Sequence, residues 1–131
     1  MTNDLATQVK TDLDRFCAAW NTNDGAALGG FFVEEGALVN PFGERAEGRG
    51  SVAAMYTTNF GGILRNTSTV YRLTEVRAVG GDHAFTDGEQ TIFAPDGSVV
   101  MKLHLAALLR NEGGAGRFLD ARPYAPSTRP A

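Results

Sequence analysis

A single cysteine, Cys17, stands in the 131 residues, so no internal disulfide can form, and no Cys/His spacing resembles a zinc site. No apolar run approaches the roughly 20 residues that span a bilayer. The first ten residues carry Asp4 and Gln8 where a signal peptide needs an unbroken apolar core, which points to a cytoplasmic protein that does not enter membranes. Excess positive charge is missing too. Twelve Lys and Arg face 15 Asp and Glu, for a net charge of -3, and the basic residues are scattered rather than gathered into a phosphate-binding stripe, which argues against nucleic acid. The glycine pairs at 29–30, 61–62, 80–81 and 113–114 lack the lysine and the strand-to-helix setting of a phosphate loop. These motifs imply neither a metal nor a cofactor.

What is present is ordinary globular composition, with 43% hydrophobic and 21% charged residues, in a length that fits one domain. Residues 1–125 read as that domain. The stretch 126–131 has no pattern and is expected to be a mobile tail.

Leu5, Val9, Leu13, Phe16 and Trp20 recur every three or four positions, which predicts an amphipathic helix capped by Thr2 or Asn3 and ended by Asn21–Gly25. A second, short helix is expected over 24–32 with Asp24 as its cap. The Gly29-Gly30 pair marks either close packing or an early end. Gly36–Gly43 reads as a short strand running into a turn at Pro41. A charged, glycine-rich stretch from Arg45 to Gly50 follows. Ser51 is the expected cap of a third helix, Val52–Phe60, closed by Gly61-Gly62. From Thr67 the texture turns to β, with strands expected at 67–79, 84–94, 99–110 and 117–125 and a hairpin at Asp96-Gly97. Helices grouped before an antiparallel meander make an α+β domain, with a curved sheet enclosing a hollow against its helices.

Three segments carry a family likeness: Asp14–Gly25 (DRFCAAWNTNDG), Phe31–Gly43 (FFVEEGALVNPFG) and Gly48–Tyr56 (GRGSVAAMY). Together they resemble the SnoaL-like proteins of the nuclear transport factor 2-like superfamily, with ketosteroid isomerase a more distant relative. The resemblance implies a cone-shaped fold, three N-terminal helices on a strongly curved, mostly antiparallel sheet. It does not imply a reaction, because that superfamily hosts isomerases, dehydratases, epoxide hydrolases, cyclases and non-enzymes. The isomerase's proton-abstracting aspartate falls on Asn40, which has no basic site. Its oxyanion-donating tyrosine falls on Phe16, and its further acid falls near Ala107. Ketosteroid isomerase chemistry is therefore not expected.

Two groups of candidate residues remain. The first is a pocket set: Asn40, where the resemblance implies a residue at the pocket mouth, with the aromatics Phe16, Trp20, Phe42, Tyr56 and Phe60. Asn40 has a structural alternative, capping its own turn, and the aromatics have plain core packing as theirs. The second is a catalytic set on the strands: His104, Glu89 and Asp120, with Arg122 beside them. A two-residue loop at Asp96-Gly97 makes paired residue numbers sum to 193, which places Glu89 opposite His104. A carboxylate there orients the imidazole as an acid or base. Against this, the opposite face of that strand carries Met101, Leu103 and Leu105 and is the better fit to the core, which sends the charged set outward. His83 is expected in solvent, and Cys17 as a small buried hydrophobe.

The expected function is binding of a small apolar molecule, with cofactor-free acid–base chemistry on a carbonyl or polyketide-like compound as its enzymatic form. The alternative is a non-catalytic ligand-binding or dimeric interaction module. Val70, Ala106, Leu108 and Tyr124 are expected to supply outer apolar surface for a homodimer.

Overall fold

The structure, a computed structural model, describes residues 2–130, with side chains in the first helix from Asp4 onward. The expected capping by Thr2 or Asn3 and the last residue of the tail lie outside the described residues. Three helices, α1 (Thr2–Trp20), α2 (Gly25–Gly29) and α3 (Arg49–Phe60), cover one face of a six-stranded sheet. Its strands are β1 (Phe32–Val39), β2 (Arg45–Glu47), β3 (Ser68–Val79), β4 (His83–Phe93), β5 (Val99–Glu112) and β6 (Ala115–Tyr124), in the order β2-β1-β6-β5-β4-β3. Only β1 and β6 run parallel; the other neighbours are antiparallel. Beyond Tyr124 the described chain is exposed and has no regular structure.

The apolar stripe of α1 explains its docking. Val9, Leu13, Phe16 and Trp20 are all buried, and burying aromatic and aliphatic side chains of this size is worth roughly 1.5–3 kcal/mol each. Phe16 forms the hub, meeting the rings of Trp20, Phe31, Tyr56 and Phe118 edge-on at 5.2–6.4 Å. Such geometry sets the positive edge of one ring against the negative face of the next. The α2–α3 contact depends on missing side chains. A Cβ on Gly25 would collide with the Thr57 backbone nitrogen, and one on Gly29 would lie 2.7 Å from the Ala53 Cβ.

Several local expectations need correction. Helix α2 stops at Gly29, so the glycine pair both packs closely and ends the helix, and Phe32 opens β1 instead. The charged stretch 45–50 contains β2, which folds back on β1. Ser51 does not cap α3: the helix begins at Arg49 after Gly48, whose φ of 91° only glycine adopts readily.

Bulges set the facing of the last three strands. The β4–β5 loop spans Pro95, Asp96 and Gly97 rather than two residues, since the Ala94 amide donates to the Ser98 carbonyl. An extra residue in β5 between the partners of Phe93 and Ile92 restores the 193 register, and Glu89 does pair with His104. In β6 the extra residue is Leu119, since Leu109 pairs with Phe118 and Leu108 with Asp120. That bulge turns Phe118 inward with Ala121 while Asp120 faces out, so simple alternation across 118–124 fails.

Candidate functional site

Between helices and sheet lies a cavity of about 50 Å³, whose opening brings the atom-free space to about 590 Å³. Phe16 and Trp20 of α1 and Tyr56 of α3 form its helical wall, and Leu38, Leu103, Leu105, Phe118 and Ala121 form the sheet wall. Phe42 and Ile63, both more than half exposed, stand at the mouth. Of the expected pocket residues, Asn40, Trp20, Tyr56, Phe42 and Phe16 line the cavity. Phe60 does not; it is buried against Trp20, ring centroids 5.3 Å apart, and stacked on Tyr56 at 6.2 Å.

The polar groups of this wall differ in how far their bonding is satisfied. Asn40 is consumed by its turn. Its Oδ1 accepts from the backbone amides of Phe42 and Glu44, both at 3.0 Å, and its Nδ2 donates to Glu44 Oε1 at 2.8 Å. The structural alternative for Asn40 is thus the one the chain adopts. Trp20 Nε1 donates to Thr67 Oγ1 at 3.1 Å. Tyr56, by contrast, has a hydroxyl with no hydrogen-bond partner among the described residues. Burial alone raises its pKa well above the ordinary tyrosine value, so the group stays protonated. Gln90 was not among the expected site residues, yet it lines the cavity at 4% exposure. The 193 register already set it opposite Leu103 on the apolar face, and a polar residue in that row was the available signal. Among the lining residues none is a carboxylate, imidazole, amine or thiol.

The catalytic set lies elsewhere. On β4 the even-numbered residues from Ala84 to Ile92 are buried and on β5 the odd-numbered ones from Leu103 to Leu109, leaving Glu89 and His104 on the outer face. His104 packs on the Tyr124 ring at 5.2 Å, and its Nδ1 stands 3.8 Å from Asp87 Oδ1. Glu89 instead pairs with Arg72 at 2.8 Å, and that partner holds its carboxyl below the usual range. Asp120 is bound by Arg122 at 2.9 Å. Of the two facings open to this set, the chain takes the outward one: the apolar face of each strand takes the core, and the charged face is turned away from it. Ala107 is buried without lining the cavity, and Cys17 is buried with its thiol pushed up to about 11.

The fold has clear relatives. The profile of the SnoaL-like domain matches residues 13–116. The chain belongs to the SnoaL-like domain family. Its structure is similar to a domain of unknown function with a cystatin-like fold from Nostoc punctiforme, with a TM-score of 0.84 at 15% identity over 98% of this chain and 81% of that one. It is also similar to Aln2 from a Streptomyces species, with a TM-score of 0.77 at 14% identity over 92% and 90% of the two chains. A third similar structure is an NTF2-like protein with a cystatin-like fold from Novosphingobium aromaticivorans (TM-score 0.74, 17% identity, 94% and 82% covered). At such identities the likeness establishes the cystatin-like, NTF2-like fold, as the sequence motifs implied. No curated protein matches the sequence. No helix among the described residues is long and apolar enough to cross a membrane.

Proposed function

We propose that this SnoaL-like domain binds a small, uncharged, apolar molecule in the cavity between its helices and its sheet, without acting on it by acid–base catalysis. The carrying observation is the cavity wall, which is mostly aromatic and aliphatic, with neutral amides as its other polar groups, and lacks any group that titrates near neutrality. Apolar enclosure favours ligands through the area removed from water, whereas proton transfer needs an acid or base within about 3 Å of the reacting atom. The outer-face histidine and carboxylates do not meet that requirement. The test uses the sole tryptophan, Trp20, as an energy donor to N-phenyl-1-naphthylamine, a neutral apolar probe. Saturable energy transfer at one probe per chain supports the reading, and transfer that rises linearly without saturation defeats it.

A homodimer through the outer sheet face accompanies this reading. Val70 and Tyr124 are exposed there at 57% and 43%, and half-buried Ala106 and Leu108 lie on the same face; apolar surface of this kind favours a two-fold, self-complementary contact. Sedimentation at micromolar concentration is expected to give a dimer-sized particle. A monomer-sized particle alone would remove the proposal.

A further inference from the structure

Three polar side chains that line the cavity have groups without partners, Tyr56, Gln90 and the half-buried Asn59, and the chemistry of the two buried ones narrows the ligand. Tyr56 is 7% exposed and Gln90 4%, so each is deep in the wall. No side-chain nitrogen or oxygen among the described residues is both sealed from solvent and without a partner. The free tips of Tyr56 and Gln90 therefore open onto the cavity that both side chains line.

The orientation of the Gln90 amide follows from its neighbours. The Thr69 hydroxyl donates to the Thr91 carbonyl at 2.8 Å, which commits its only proton. It therefore accepts from Gln90 Nε2, 3.2 Å away. With the nitrogen side held by Thr69, Gln90 Oε1 is left as an acceptor. Tyr56, held in its protonated form by burial, supplies a donor. A donor and an acceptor face one cavity, which is open at its mouth beside Phe42 and Ile63.

Resting on the cavity reading above, we infer that Tyr56 and Gln90 are specificity-determining residues for a neutral apolar ligand bearing a hydroxyl group. A hydroxyl oxygen accepts from Tyr56 while its proton goes to Gln90 Oε1, so one group answers both tips. A ketone or ether answers Tyr56 and leaves Gln90 Oε1 unmet. A hydrocarbon covers both tips and meets neither, which is costly. A carboxylate would enter a wall with no cation to receive it.

The test is isothermal titration calorimetry with four probes on one skeleton: 2-naphthol, 2-methoxynaphthalene, 2-methylnaphthalene and 2-naphthoate. In the wild type, 2-naphthol is expected to bind about tenfold more tightly than 2-methylnaphthalene, a difference of the size one or two buried hydrogen bonds supply. The methoxy compound is expected between them, and 2-naphthoate is expected not to bind. Tyr56→Phe and Gln90→Leu should each bring 2-naphthol down toward 2-methylnaphthalene while leaving the affinity for 2-methylnaphthalene within about twofold. Because Gln90→Leu also cuts the tie to Thr69, the conservative Tyr56→Phe keeps the test open if that variant does not fold. Equal binding of the three neutral probes by the wild type overturns the specificity and leaves the cavity reading standing. So does a hydroxyl preference that survives in Tyr56→Phe. Binding of 2-naphthoate as tightly as 2-naphthol overturns the neutral class. Failure of all the neutral probes to bind overturns the cavity reading and the specificity together.

Discussion

The two faces of the sheet are made by alternate residues of the same strands, yet they are chemically opposite. The inner face presents Ile92, Leu103, Leu105 and the Gln90 amide, with the Tyr56 hydroxyl of α3 on the other wall of the cavity. The outer face presents ion pairs that are already complete: Arg72 with Glu89, Arg122 with Asp120, and Arg110 with Glu35 at 2.9 Å. The comparison separates reactive residue types from available ones. Histidine and carboxylates carry more chemistry than an amide and a phenol, but here they lie on the far side of the sheet from the cavity. The plainer groups are the ones with unmet bonding capacity where a ligand would sit.

Substitutions that break this contrast should differ sharply in size. The largest effect is expected for Phe118→Ala, which empties a 2% exposed position against Phe16 and Phe32. It should cost about 3–5 kcal/mol in urea denaturation and remove the sheet wall that the probe contacts. Next comes Asn40→Ala. Loss of the turn bonds to Phe42 and Glu44 should cost about 1–3 kcal/mol in the same measurement. It should nevertheless leave the 2-naphthol preference intact, because Asn40 offers the cavity no free group. Smaller still is Glu89→Gln. The pair it breaks is exposed and screened by salt, so both the denaturation midpoint and probe affinity should stay within experimental error.

The pH dependence sharpens the same contrast. Arg110 holds the Glu35 carboxyl at about 2, chiefly through their hydrogen bond, and Arg72 lowers Glu89 in the same direction. Folded values below the unfolded ones mean that this stabilisation is present above about pH 4.5 and fades as pH falls toward 2. Exposure to salt water keeps the effect small. Probe affinity should stay flat from pH 5 to 8, because Tyr56 remains protonated and no other cavity-lining group titrates there. Acid titrations of denaturation midpoint and of probe binding check the two halves separately.

Much of the fold was readable because it is written in short-range periodicity. The stripe from Val9 to Trp20 needs only the helical repeat, and β4 and β5 need only alternation and turn residues. The 193 register came out correct although the loop is one residue longer than the Asp-Gly rule implies, because the extra β5 residue compensates. Long-range features were harder to read. Strand β2 is three residues whose pairing with β1 no local pattern announces. The bulge at Leu119 depends on how β6 fits between β1 and β5, and it alone decides that Phe118 faces in while Asp120 faces out. The site was half legible for the same reason. Aromatic walls follow from the helix stripe, whereas the free state of Gln90 depends on Thr69, 21 residues away on another strand.

The central claim, that ligand chemistry belongs to the inner face, is tested most directly by blocking each face in turn. Ala121 is 2% exposed in the sheet wall of the cavity, and Ala121→Phe would fill that space. His104→Ala alters the outer face of the neighbouring strand. Energy transfer from Trp20 to N-phenyl-1-naphthylamine, followed with circular dichroism to verify folding, reads both variants. The account predicts wild-type saturation for His104→Ala and lost saturation for a folded Ala121→Phe. Retained binding in Ala121→Phe with loss in His104→Ala would contradict it.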